Sequence, residues 1–336
     1  MSVKQILAIR IFFGLCIWLL SGHAYSQYNM DFGINLGASN YLGEMGGTSD
    51  PGKGTSRKNF VSDLKINQTK FAGGAWFRYK VHPLLAVKAN LMYLRIAGAD
   101  SLSDYPNRKG RNLHFRNDIF ELTVQGEYHF FGVQDITNKG KTRIDFGSYI
   151  FIGGGMFYNN PKAFYLTEWY ALQPLGTEGQ GRIQKIDDNG VMKDFKKYKR
   201  IQANVLGGLG FSYTILRKWR VGWELGVRKT FTDYLDDAST TYVDPSVFDD
   251  GTEEGAIAKA LANQSANASE LTGGVMNPGH YKKDAIRGNP DDKDWYMFTA
   301  ATLGYVIRGK SNFYKTKYKL ITGAQKRRTR KTRAKF

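Results

Sequence analysis

From Tyr28 onward the chain carries eight stretches in which apolar and polar residues alternate, and the gaps between them are alternately short and long. A β-strand sends successive side chains to opposite faces, so a period of two marks a sheet with one apolar and one polar side. In the first stretch Tyr28, Met30, Phe32, Ile34, Leu36 and Ala38 take one side. Asn29, Asp31, Gly33, Asn35, Gly37 and Ser39 take the other. The cleanest stretch sets Phe120, Leu122, Val124, Gly126, Tyr128 and Phe130 against Ile119, Glu121, Thr123, Gln125, Glu127 and His129. The pattern predicts an all-β fold: an eight-stranded antiparallel up-and-down transmembrane β-barrel over 27–307. Its strands are expected at 28–40, 71–81, 85–97, 119–130, 142–158, 199–215, 219–231 and 295–307.

The gaps at 41–68, 98–115, 159–198 and 232–294 are long, and the others are short. Bacterial barrels have short periplasmic turns and long extracellular loops. That rule puts the barrel in an outer membrane with the N- and C-termini periplasmic. A soluble β-sandwich is the alternative. It is harder to reconcile with apolar outward faces on every strand.

The first 26 residues read as a signal peptide. Lys4 and Arg10 precede a short apolar run from Ile11 to Leu20, and Ala24-Tyr25-Ser26 forms a small-x-small cleavage site. The one cysteine, Cys16, lies in that run, so the mature chain has no thiolate for catalysis, metal binding or disulfides. No later apolar run approaches the roughly 20 residues of a membrane helix. Aromatic residues at 14% and 38 glycines suit interfacial girdles and crowded strands.

The net charge of +18 is unevenly spread. Residues 308–336 hold twelve basic residues and no acid, and 232–294 hold thirteen acids and five bases. The basic tail carries Lys315, Lys317 and Lys319, then Lys326, Arg327, Arg328, Arg330, Lys331 and Arg333. A periplasmic address argues against nucleic acid as its partner. Lipid head-group phosphates, an acidic protein or peptidoglycan suit it better.

Eight strands leave an interior that side chains just fill. The inward positions carry Asp31, Glu121, Glu127, Asp145 and Glu224 against Arg78, Lys80, Lys88, Arg143, Arg220 and Arg228. Charges in a dry lumen must be paired or wetted, so a plugged salt-bridge core is expected and a pore is the alternative. His129 shares a face with Glu127; a network-bound histidine is the first reading, acid–base chemistry the second. In the acidic fourth loop, Asp233 to Asp237 and Asp249 to Glu254 are oxygen-rich, yet neither has the spacing of a calcium loop. The loop is expected to be a solvated surface segment with a short helix over 254–266. His114, His280 and Ser239 follow no triad spacing, which leaves a lipid- or protein-modifying enzyme as a minor reading. No cofactor is expected.

Three stretches carry a family resemblance. They are Gly33 to Glu44, Phe115 to Glu121 and, longest, Trp223 to Tyr242. Together they resemble the PorG-type outer-membrane barrels of Bacteroidota, a component of the type IX secretion system. The resemblance implies an eight-stranded, non-enzymatic barrel that associates with a periplasmic ring lipoprotein and its partners in protein export and, in some species, gliding. Its motif positions here are Tyr41, Leu42, Gly43, Arg228, Asp233, Tyr234, Asp236 and Asp237. The long third and fourth outer loops and the basic tail depart from shorter family members.

Overall fold

The computed structural model describes residues 30–45, 66–82, 84–134, 145–186, 192–216 and 218–307. The signal segment, the basic tail from Lys315 to Arg333, Arg143 and the Asp145 side chain lie outside the described residues.

Eight long strands close into a barrel: β1 (Met30–Leu42), β2 (Lys70–His82), β3 (Leu85–Ala99), β4 (His114–Gln134), β5 (Asp145–Tyr158), β10 (Ile201–Ile215), β11 (Trp219–Thr230) and β12 (Trp295–Ile307). Each pairs antiparallel with its sequence neighbour among these eight, and β1 closes the ring on β12 from Met30↔Ile307 to Leu42↔Trp295. Closure removes both sheet edges, which leaves every ladder amide paired without water. The eight-stranded architecture is the expected one. β12 lies where the alternation placed it, and the other strands differ at their ends by up to five residues, most of all β4, which extends to both sides of 119–130.

Alternation holds around the whole ring. On β4, Leu122 is 59% exposed on the outside while its neighbour Glu121 is fully buried in the lumen. The outer face is an unbroken apolar belt that includes Ile34, Leu91, Val124, Ile152, Met156, Leu209 and Leu303. Aromatic residues rim it. Tyr79, Tyr128, Tyr213, Trp219 and Tyr305 lie toward the short turns, with Trp219 and Tyr305 in edge contact at 5.5 Å. Phe71, Tyr93, Phe120 and Tyr158 lie toward the long loops. Phe120 and Tyr128 are eight positions apart on one strand. At about 3.3 Å per residue and a tilt of about 40°, the rims stand roughly 20 Å apart along the axis, close to the apolar band of membrane barrels. No helix among the described residues is long and apolar enough to cross a membrane.

The loop end is a folded layer of its own. The β6–β7 hairpin (Pro161–Tyr165 and Glu168–Ala171) extends the sheet by pairing with β4 at Arg116↔Lys162. A small separate sheet, β8 (Gln184–Ile186) with β9 (Met192–Asp194), follows in the same loop. In the fourth loop Thr252 caps the helix Glu253–Ala262 by accepting from the Gly255 amide, and Glu253 and Glu254 favour its N-terminal turn. That helix is four residues shorter than expected at its C-terminal end. It buries Ala258, Leu261 and Ala262 against Ala163, Leu172, Leu175 and Phe248, so loops three and four share an apolar core. A solvated surface loop was expected for 232–294; the structure instead packs it across the barrel mouth, because its apolar residues meet Ala163, Leu172 and Leu175 of loop three and Tyr281 donates to the Asn107 carbonyl of loop two.

Candidate functional site

The lumen holds two charge clusters at different heights. Toward the turns, Asp31 Oδ2 accepts from Arg78 Nη2 and Arg220 Nη1, both at 2.6 Å. Arg78 Nη1 reaches Glu127 Oε2 at 3.0 Å, and Lys88 Nζ meets Glu224 Oε1 at 2.5 Å, which also accepts from the Tyr149 hydroxyl at 2.6 Å. His129 lies 3.2 Å from Glu127 and packs on the Tyr149 ring, so its surroundings are the ion-pair network and no open site. Arg78 and Lys88 also sit about 5 Å over the Trp76 ring.

Nearer the loops, Glu121 is held by Arg228 Nε at 3.1 Å to both its oxygens, Tyr296 Oη at 2.5 Å and Asn204 Nδ2 at 3.2 Å. The Arg228 guanidinium lies 4.0 Å over the Phe298 ring. Gly226 makes room for that ring, since a Cβ there would stand 2.5 Å from Phe298 Cε1. Of the expected lumen residues the structure thus joins Asp31, Arg78 and Glu127 in one chain, Glu224 to Lys88, and Glu121 to Arg228.

Above the lumen, the motif residues of β1 and the fourth loop meet. The Tyr41 hydroxyl lies 2.7 Å from Asp236 Oδ2 and 2.5 Å from Asp294 Oδ1. One hydroxyl has one proton to donate, so two such short contacts to carboxyls require a second proton on one of the acids. Burial raises the Asp236 carboxyl above its ordinary range, and burial with the neighbouring charges of Asp294 and Asp236 raises Asp233. A Cβ on Gly43 would collide with the Tyr41 hydroxyl and stand 2.7 Å from Asp294 Oδ1, so only glycine leaves that hydroxyl in place. Leu42 is buried and pairs in register with Trp295.

The next residues tie the loops to one another. Asp237 adopts a left-handed φ of 67°, tolerable for aspartate, and accepts from the Tyr198 hydroxyl at 2.7 Å and from Thr177. Burial pushes its carboxyl up to about 7, against the pull of Arg287. Tyr234 stacks on Tyr198 at 4.5 Å. Glu178 gathers the Ser239 and Thr240 amides at 2.8 and 3.0 Å and Arg287 Nη1 at 3.0 Å. Arg111 pairs with Asp100 at 2.6 Å and donates to the Arg287 carbonyl. Seven of the eight motif positions therefore build one cap, and the eighth, Arg228, lies in the lumen. Sequence reasoning missed Glu178, Arg287, Asp294, Asp100 and Arg111, which are single charges in polar loops with no spacing to mark them.

The remaining candidates stand apart. His114 binds the Phe164 backbone at 3.1 Å, His280 closes a turn on Asn277, and Ser239 serves the Glu178 cluster through its amide. Asp249 pairs with Lys259 at 2.7 Å and Asp250 with Arg182 at 2.8 Å, so both aspartates of that stretch already have cationic partners. Among the described residues no group of three acidic, histidine or cysteine side chains is placed to hold a metal ion.

Residues 9–169, just under half of the chain, match a family model described as a domain of unknown function, DUF6089. No curated protein matches the chain. Among solved structures, the chain is similar to the outer membrane protein OprG of Pseudomonas aeruginosa at 9% identity, covering 85% of this chain and 100% of that one, with a TM-score of 0.34. The N-terminal β-barrel domain of OprF from the same organism matches at 9% identity, 84% and 100% coverage and a TM-score of 0.29. The attachment invasion locus protein Ail of Yersinia pestis matches at 8% identity, 83% and 98% coverage and a TM-score of 0.30.

Proposed function

We propose that the chain is a non-enzymatic outer-membrane barrel that anchors or positions the periplasmic ring of a type IX protein secretion machine. The observation that carries the non-transport half of this reading is the lumen. Arg78, Arg220, Lys88 and Arg228 are all buried there against Asp31, Glu127, Glu224 and Glu121, with the loop cap above. A channel needs a wetted path, and charges paired at this density in an eight-stranded barrel argue against one. The apolar belt and its two aromatic rims support a membrane address. The secretion half rests on the PorG-like motifs, and the basic tail is the segment proposed to meet the ring lipoprotein or the head groups of outer-membrane lipid.

The test has two parts. Purified protein in planar bilayers is expected to be electrically silent; stepwise conductance would overturn the closed-lumen reading. Mild-detergent extraction of the full chain is expected to bring down the ring lipoprotein, and recovery of the barrel without any ring protein would overturn the anchoring role. A passive adhesin is a second reading. The shared apolar core of loops three and four favours it, because an ordered cap offers a fixed recognition surface.

A further inference from the structure

Within the cap lies a cavity of about 690 Å³. Its walls come from the helix Pro106–Arg111, from β8 and from the far end of the fourth loop. Arg108, Arg111, Lys185, His280 and Arg287 supply its cationic or protonatable nitrogen groups, and among the described residues Glu44 is the one carboxyl on the wall.

Two of these cations are already matched. Arg111 pairs with Asp100, and Arg287 with Glu178 at 3.0 Å. Arg108 is different. It is 4% exposed, and among the described residues its Nη1 has no hydrogen-bond partner and neither Asp100 nor Glu44, the carboxyls that act on its charge, forms an ion pair with it. Lys185 donates to Thr240 Oγ1 at 3.3 Å and lies 3.9 Å over the Phe195 ring, again with no carboxylate in range among the described residues. Glu44 does little to cancel this charge. Burial pushes its carboxyl up to about 7, against the pull of Arg111, so near neutral pH it is only partly ionised.

Leaving a buried guanidinium nitrogen unbonded is costly in a folded protein, unless a ligand completes it. Guanidinium forks match carboxylate and phosphate oxygens. The rest of the wall mixes hydroxyl and amide groups, from Thr240, Thr241, Asn107 and Asn289, with the Tyr281 ring, Ile286 and Pro290. The volume falls in the range of small-molecule sites, which run to about 300–1,000 Å³.

We infer that this cavity binds an acidic sugar, a saccharide carrying one carboxylate or phosphate. Arg108 is its charge partner, Lys185 supports it, and the hydroxyl and amide groups take the sugar hydroxyls. This inference is independent of the anchoring role.

Calorimetric titration of the purified full chain in detergent tests it, with glucuronate, glucose 6-phosphate, glucose and inorganic phosphate as probes. At least one acidic sugar is expected to bind ten-fold or more tightly than glucose, and more tightly than phosphate alone. Arg108→Met, which keeps the apolar stem, is expected to lose that preference, and Arg108→Lys to keep part of it. Three results overturn the inference: no acidic sugar binds, glucose binds equally well, or Arg108→Met binds as the parent does. Inorganic phosphate binding as tightly as glucose 6-phosphate overturns the sugar part. If Arg108→Met fails to fold, the comparison of acidic and neutral sugars on the parent chain still decides.

Discussion

The lumen and the loop cap both hold carboxyls away from water, and they do so in opposite ways. Asp31 sits between two guanidiniums at 2.6 Å. Asp233, Asp236 and Asp294 sit beside one another around the Tyr41 hydroxyl. In the lumen each carboxylate among the described residues meets a cation within hydrogen-bond distance, so the charges are matched one against another. In the mouth burial raises the Asp233, Asp236 and Asp237 carboxyls above their ordinary range, so the charge there depends on pH. The same residue type therefore braces the barrel in one region and makes the cap adjustable in the other.

The strongest way to break this comparison is Asp31→Ala. It strips a shared acceptor from Arg78 and Arg220, and an uncompensated buried pair costs roughly 3–5 kcal/mol. The expected result is a lower unfolding midpoint in guanidinium, read from the shift between folded and unfolded barrel bands in unheated electrophoresis. A midpoint like the parent's would mean that the lumen is wet enough to screen its charges.

A smaller, local effect is expected of Glu178→Gln. Glu178 serves two amides, the Thr240 hydroxyl and Arg287, so its loss weakens the cap by about 1–3 kcal/mol. Limited proteolysis is expected to cut the fourth loop faster while the barrel bands stay unchanged. Equal loss of both would show that cap and barrel unfold as one unit.

The smallest expected effect is that of pH, and its sign follows from the raised carboxyls. Asp237 has an ordinary value of 3.8 and about 7 in the folded cap. Between those values the folded cap holds a proton that the unfolded loop releases. Its contribution is complete below the ordinary value and is lost as pH rises through about 7. Glu44, also pushed up to about 7, acts in the same direction. Hydrogen exchange over 232–242, corrected for intrinsic rates, is expected to show more protection at about pH 5 than at about pH 8, with β4 nearly unchanged. Greater protection at the higher pH would sink the account of the mouth.

What could be read in the chain beforehand divides along the same line. Leu122 and Glu121 had to face opposite ways once β4 was a strand, so both the apolar belt and the inward charges were legible. Asp31 and Arg78 were both legible as inward charges, but that they stand opposite each other depends on the register of β1 against β2 across a long loop. Arg220, far along the chain, could be placed inside but not assigned to Asp31, since that contact depends on how the ring closes. In the cap no periodicity relates Glu178 to Ser239 or Arg287, and the acidic fourth loop looked like a solvated segment. The motif residues Tyr41, Gly43 and Asp236 were marked by resemblance, without any sign that they touch.

The amino-acid sequence by itself determined the eight barrel strands and the side each of their residues takes, because a pleated strand has a period of two and needs no partner to define it. Only the tertiary structure decided which lumen charges pair, that four loops share a cap, and that Arg108 is left facing a cavity. Those outcomes are set by distances between residues far apart in the chain, and local pattern carries no information about them.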